Sequence, residues 1–384
     1  MIRVTDKSQC CGCSACVQRC PKQCIRMERD AEGFLYPVVD TPLCIDCHLC
    51  ERVCPMINQN KERIPLDTYA AKSVDNDVRM QSSSGGLFTL LAEKTIEQGG
   101  VVFGAQWDKE WNVRHAYTDS QEGISTFRGS KYLQSMIGNS YLLAEKFLKE
   151  GREVMFTGTP CQIAGLKHFL RKEYANLLAV EVICHSVPSP GVWQQYLSEK
   201  LQKLKWDKSD IHHISFRDKK TGWKSYSFTI NNKKGSTYTE LGGRNLFMRG
   251  FLADLYTRPS CYACPSKQLK SGSDITLGDF WGIKSLIPEI DDDKGISAVM
   301  VNTEKGNVAM QKISVQLVPV SYEEVVRRNP ALVKSAKSSG KKSEFFKEGN
   351  GTVEEKVKAI TKKDFSFSDI IKRVYLKLFK QIRE

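Results

Sequence analysis

The chain has 384 residues, a formal net charge of +13, and 41% hydrophobic and 9% aromatic residues. That balance belongs to a soluble globular protein with a sizeable core and excludes a disordered or collagen-like chain. No apolar run approaches the length of a membrane span. Met1 to Gln9 carries charge and no apolar stretch, so a secretory signal is not expected.

The first 58 residues hold a repeated pattern. Cys10-x2-Cys13-x2-Cys16-x3-Cys20-Pro21 recurs as Cys44-x2-Cys47-x2-Cys50-x3-Cys54-Pro55. A cubane iron–sulfur cluster needs four thiolates, one per iron. Three cysteines spaced by three residues wrap three corners, and the fourth ligand comes from the cysteine before proline in the other run. The spacing therefore predicts one 4Fe-4S set of Cys10, Cys13, Cys16 and Cys54, and a second of Cys44, Cys47, Cys50 and Cys20. Cysteines this dense are strained partners for disulfides, and zinc sites pair two short spacings instead. Cys11 and Cys24 are left as small buried thiols beside these sets, and His48 as a partly exposed loop residue. Reduced thiols arranged for metal place the chain in the cytoplasm.

Gln59 to Arg63, followed by Pro65, reads as a linker. Ser82-Ser83-Ser84-Gly85-Gly86 then precedes an apolar stripe of Leu87, Leu90, Leu91 and Ile96 closed by Gly99-Gly100, which predicts a helix with hydroxyl caps and a glycine stop. Strands are expected over 101–103 and 111–117. Residues 153–157, 162–170, 177–183 and 188–204 alternate strand and helix, the signature of a parallel βαβ unit. Residues 211–216, 225–230 and 236–240 predict an antiparallel meander, and 244–254 a helix.

The chain from Lys334 to Thr352 is rich in Lys, Ser and Gly and is expected to be mobile. Beyond it, Phe367, Ile370, Ile371, Val374, Tyr375, Leu378 and Ile382 recur at helical spacing among basic residues. From Ala331 onward there are 14 Lys+Arg against 7 Asp+Glu, more than half of the net charge. Such a tail suits its own domain, an acidic electron-carrier protein or partner subunit, or an anionic membrane surface. Nothing earlier in the chain supports nucleic-acid recognition.

Four cysteines remain, Cys161, Cys184, Cys261 and Cys264. Four is the number a third cubane needs. Spacing leaves two readings open: convergence of Cys161 and Cys184 at one edge of a parallel sheet with the Cys261/Cys264 loop, or a buried Cys184 with Cys261 and Cys264 on zinc. The surrounding words are Ser83-Ser84-Gly85-Gly86, Gly129-Ser130-Lys131-Tyr132, Thr157-Gly158-Thr159-Pro160-Cys161-Gln162, Ile183-Cys184-His185-Ser186-Val187-Pro188-Ser189-Pro190, Arg258-Pro259-Ser260-Cys261-Tyr262-Ala263-Cys264 and Asp274-Ile275-Thr276-Leu277-Gly278-Asp279-Phe280-Trp281-Gly282. In this order they resemble the coenzyme F420 hydrogenase/dehydrogenase beta-subunit family, over about residues 65–345, with the first module similar to the ferredoxin domain often fused to it. Ser186 departs from the glycine usual after Cys-His.

The resemblance implies FAD beside one 4Fe-4S cluster, with Cys161, Cys184, Cys261 and Cys264 as its ligands. It also implies a fold of α+β class. A ferredoxin-like module (1–58) precedes a mixed α/β flavin-binding domain (65–345) and a basic helical tail (346–384). No Gly-x-Gly-x-x-Gly follows a strand, so a Rossmann site is not supported. The amides of Ser84, Gly85 and Gly86 head a helix suited to a diphosphate. Lys131 adds charge, Tyr132 an aromatic ring, and Thr159 a contact beside Cys161. Their plainer roles are a helix cap and a surface turn. The function so implied is an oxidoreductase passing electrons through 4Fe-4S clusters to or from FAD and a low-potential carrier or small-molecule redox substrate. The rival is a non-catalytic electron-transfer subunit docking a partner enzyme.

Overall fold

The computed structural model describes residues 1–361 apart from 348 and 350. The amphipathic stripe over 367–382 lies outside the described residues. No helix among the described residues is long and apolar enough to cross a membrane.

The N-terminal module pairs β1 (Ile25–Arg29) with β2 (Leu35–Val39) in an antiparallel hairpin. Gly33 closes its turn at φ +88°, and Asp30 accepts the Phe34 amide at 2.9 Å. The two cysteine runs flank this hairpin, each leading into a short helix, Ala15–Arg19 and Leu49–Arg52.

The larger unit is built on an eight-stranded mixed sheet. Its strands are β3 (Asp67–Ser73), β4 (Val101–Trp107), β5 (Val113–Thr118), β6 (Val154–Gly158), β7 (Leu177–Val182), β11 (Ile275–Asp279), β12 (Ser297–Val301) and β13 (Val315–Pro319). Their order across the sheet is β13-β3-β12-β11-β7-β6-β4-β5. The centre, β4-β6-β7-β11, is parallel, and both flanks are antiparallel. Val101, Val102 and Phe103, like Val154, Met155 and Phe156, are buried without alternation, as strands covered on both faces must be. The crossover helix Ser140–Lys149 precedes β6, and Pro160–Leu170 joins β6 to β7. The predicted βαβ unit is thus present.

A second sheet, β8 (Ile211–Asp218), β9 (Ser227–Asn232) and β10 (Thr237–Leu241), is the predicted meander. Trp193, Tyr196, Phe216, Phe228 and Phe247 form an aromatic core between it and the helices Pro190–Leu204 and Leu246–Leu252. Ring centroids there stand 5.2–6.4 Å apart in tilted and edge-on pairs.

Two expectations fail locally. The helix Leu87–Glu97 is capped by Gly86 at φ +94°, with no side-chain cap. The serines face elsewhere: Ser83 accepts from the Ser130 amide and hydroxyl, and Ser84 donates to the Ile296 carbonyl. Nor is the segment after Lys334 wholly loose. Ala336 and Phe345 are buried, and Phe345 packs on Tyr256 at 5.2 Å. The helix Val353–Thr361 seats Val357 and Ile360 in the same aromatic core, with Glu354 clamped by Lys200 and Lys203. Packing against the larger unit thus continues through Thr361. A few aromatic and β-branched side chains outweigh the local Lys/Ser/Gly composition.

Candidate metal and cofactor site

None of the fourteen cysteines is in a disulfide. In the first module, the Cys13 thiol responds to the charges of Cys16 and Cys54, Cys16 to Cys10, Cys54 and Cys50, and Cys54 to Cys10 and Cys50. Cys10, Cys13, Cys16 and Cys54 thus influence one another although Cys54 comes from the second run, and Cys50 of that run acts on Cys16 and Cys54 as well. Burial is the leading cause that raises the Cys16 and Cys54 thiols. Cys20, Cys44, Cys47 and Cys50 line a shared small cavity with Ile25, Val39 and Leu49. Cys24 is buried beside them, its sulfur 3.3 Å from that of Cys20. His48 sits in the left-handed region and pairs with Glu51 at 2.7 Å.

The four later cysteines also converge. Cys161 opens the helix after β6, and Cys184 follows β7, so both stand at the carboxyl edge of adjacent parallel strands. The Cys261/Cys264 turn is tied to the chain after Cys184: the Arg258 amide donates to the Val187 carbonyl at 3.0 Å and the Ser189 amide to Tyr256 at 2.9 Å. The Cys264 amide donates to the Ser335 hydroxyl at 3.0 Å. Burial above all pushes the Cys184 thiol up to about 12; the Lys267 ammonium opposes it, and Cys161 and Cys264 add to it. Cys264 is pushed up to about 11, by burial and then by Cys161. Cys261 is raised in turn by burial, Cys184, Cys161 and Cys264. Buried thiols whose thiolate forms are disfavoured by burial and by one another suit metal cations that displace their protons. No group of three or more His, Cys, Asp or Glu side chains among the described residues is arranged around a single ion. Cubane thiolates each bind a different iron and so need not meet at one point.

The two thiol regions touch. Cys11, left as a bystander by spacing, is buried with a thiol whose ionisation is coupled to those of Cys13 and Cys161. Tyr141, fully buried, feels Cys13, Cys11 and Cys161 together. Gly165, on the Cys161 helix, is where a Cβ would stand 2.9 Å from the Cys13 Cβ. Gln18 accepts the Tyr141 and Leu142 amides, and Arg19 pairs with Glu145 at 3.2 Å, so the module is fastened onto the sheet domain. The linker is fastened too, with Arg63 donating to Leu269 and Ser273 carbonyls.

The residues proposed for the flavin are mostly engaged within the protein. The Gly85 amide donates to the Ser297 hydroxyl at 3.0 Å. A Cβ at Gly85 would stand 2.4 Å from the Ala71 carbonyl, which gives this glycine a structural reason. The Lys131 ammonium donates to the Phe127, Arg128 and Gly129 carbonyls, and burial pulls its pKa down to about 7. Thr159 forms a capping box with Gln162, and its hydroxyl lies 3.3 Å from the Cys161 sulfur. Tyr132 is different. Its ring packs on Phe216 and Phe251, and its hydroxyl accepts from Arg217 at 3.2 Å. Phe251 in turn meets His185, next to Cys184, edge-on at 5.5 Å. Ser186, the departure after Cys-His, is buried and bonded to Thr257 at 3.0 Å.

Arg217 escaped the sequence reading. Its Nη1 pairs with Asp279 at 2.7 Å, while Nε and Nη2 are buried with no hydrogen-bond partner among the described residues. Its guanidinium lies between the rings of Tyr226 and Trp281. Trp281 is also stacked on Trp223 at 5.3 Å. The only sequence signal was Asp279 in the Gly278-to-Gly282 word, which named Arg217's partner and not Arg217.

Comparison with known proteins gives two family matches. Residues 68–141 match the N-terminal model of the coenzyme F420 hydrogenase/dehydrogenase beta subunit, and residues 151–320 match its C-terminal model. Among solved structures, a chain from the xenon-derivatized F420-reducing NiFe hydrogenase complex of Methanosarcina barkeri is 18% identical. The match covers 70% of this chain and 91% of that one, with a TM-score of 0.47. No curated protein matches the chain.

Proposed function

Because the chain belongs to the coenzyme F420 hydrogenase/dehydrogenase beta-subunit family, we propose that it is an iron–sulfur flavoprotein oxidoreductase. Cys10, Cys13, Cys16 and Cys54 would hold one 4Fe-4S cluster, Cys44, Cys47, Cys50 and Cys20 a second, and Cys161, Cys184, Cys261 and Cys264 a third. When bound, the clusters supply one-electron transfer and FAD couples it to two-electron chemistry with a carrier or small-molecule substrate. The observation that carries this reading is the close packing of the Cys161 helix on the first cysteine loop, where a Cβ at Gly165 would stand 2.9 Å from the Cys13 Cβ and 3.0 Å from its sulfur.

The protein's own groups have definable tasks. Thr159 offers its hydroxyl to the Cys161 sulfur, and Lys267 sets a buried ammonium beside Cys184 and Cys264. Both favour the thiolate over the thiol. For the flavin, Arg217 offers two unpartnered buried N–H groups beside the Tyr132 hydroxyl, which suits an electron-rich carbonyl edge or a phosphate oxygen. The first module would exchange electrons with a carrier protein or partner redox subunit.

Anaerobic purification tests the reading. It predicts about twelve irons per chain, four per cubane, together with FAD. Eight irons and no flavin would overturn it.

A further inference from the structure

Arg258 has 0% exposure, and its guanidinium makes no ion pair with any described residue. Its Nε donates to the Cys10 carbonyl and Nη1 to Gln134 Oε1, both at 2.8 Å. Nη2 donates to the Leu35 carbonyl at 3.0 Å and lies 3.6 Å from the Cys10 sulfur. The rings of Tyr36 and Phe34 cover it, at 4.3 and 5.3 Å to their centroids. Room for it comes from Gly12, at φ +71°, where a Cβ would stand 2.9 Å from Nη1. The Cys261 amide donates to the Arg258 carbonyl at 3.0 Å, so the same residue opens the turn that carries Cys261 and Cys264.

A guanidinium taken out of water with no anion beside it is costly, and carbonyl dipoles only partly replace a counter-charge. Cys10 is the anion in reach once its sulfur is a thiolate, and the turn that Arg258 opens carries Cys261 and Cys264 of the later set. Arg258 also bonds both units at once, so it can occupy this place only when the module is docked.

We propose that Arg258 is a positioning residue, the fixed counter-charge shared by the centre on Cys10, Cys13, Cys16 and Cys54 and the centre on Cys161, Cys184, Cys261 and Cys264, and that it raises both reduction potentials. The inference rests on the reading that these thiols hold cubanes. Each reduction adds one electron to a centre and nothing else, so a fixed positive charge in a low-dielectric site favours the reduced state.

The test is a titration of the anaerobically purified full chain, with dithionite as reductant and redox mediators, followed by electron paramagnetic resonance. Arg258→Gln should keep about twelve irons. It should lower the two neighbouring potentials by about 59 mV or more, a tenfold change in a one-electron equilibrium. The centre on Cys20, Cys44, Cys47 and Cys50, which Arg258 does not touch, should stay put. Gln134→Glu sets a carboxylate where Nη1 now donates and should produce the same fall with Arg258 intact. Arg258→Lys, which keeps the charge, should stay nearer the wild type. Should Arg258→Gln lose iron, Gln134→Glu decides alone. Full iron with unmoved potentials overturns the proposal, and so does an equal fall of all three. A wild-type chain without iron overturns the functional reading as well.

Discussion

Replacing Gly165 with alanine sets two local principles against each other. Gly165 lies inside the helix Pro160–Leu170, where alanine is ordinarily worth about 1 kcal/mol more than glycine. Here the added Cβ would lie 2.9 Å from the Cys13 Cβ, 2.9 Å from Tyr141 Oη and 3.0 Å from the Cys13 sulfur. Comfortable carbon contacts are about 3.5–4.0 Å. Tyr141 cannot withdraw easily: it is fully buried, donates to the Gln162 carbonyl at 2.7 Å and packs on Phe156 and Phe169. Cys13 is held by the docked module. Overpacking of this kind costs about 1–3 kcal/mol. Set against the propensity gain, the net is a loss of about 1 kcal/mol, or roughly 2 °C in melting temperature for a chain of this size. Urea unfolding of anaerobically purified protein, with iron counted per chain, measures both the loss and any release of metal from the Cys13 set. A variant more stable than wild type by the full helical gain, with iron unchanged, would refute the packing of this helix on Cys13.

Three further outcomes follow from single side chains. His115 is buried between the Thr157 carbonyl and the Ser135 hydroxyl, and burial lowers its pKa to about 4. The unfolded chain therefore takes up its proton first, and stability should fall as pH drops from about 6.5 to about 4, by at most about 3 kcal/mol. His115→Gln should flatten that part of the urea-midpoint profile, and parallel profiles would refute it. Thr159→Val removes a helix cap and the hydroxyl beside the Cys161 sulfur, so it should cost about 1 kcal/mol, with Thr159→Ser restoring most of it. An unchanged melting temperature would count against the capping box. Gly191→Leu should pry the module from the sheet domain, because a Cβ there stands 2.9 Å from the Gly33 backbone. Trypsin should then cut faster at Lys61 and Arg63; an unaltered cleavage rate would show the close approach to be unimportant.

Much of this was legible because the chemistry is local. Three cysteines spaced by three residues fix their own geometry in a loop, and a strand such as Val154–Gly158 declares itself by apolar residues buried on both faces. The parallel core also announced where Cys161 and Cys184 would lie, since neighbouring parallel strands end on one edge. Strands β11, β12 and β13 were not foreseen. They are short, and their place in the sheet depends on partners such as β3, more than two hundred residues earlier. The misjudged serine caps have a similar cause: Ser84 prefers the Ile296 carbonyl, a choice made by the distant strand.

Arg258 shows the limit most clearly. Pattern alone makes it one residue of a cysteine-rich word, and a lone arginine is more often a solvated surface charge. Its meaning depends on Cys10, 248 positions away, and on a glycine in the first cysteine loop that leaves the guanidinium room. The same holds for Cys11, left over by a count of candidate ligands yet buried with a thiol coupled to Cys13 of the first module and Cys161 of the sheet domain. Spacing says which side chains can hold a metal. On the proposed reading, docking would decide which centres share a charge, and the order of potentials along the molecule would follow from contacts between units rather than from either motif.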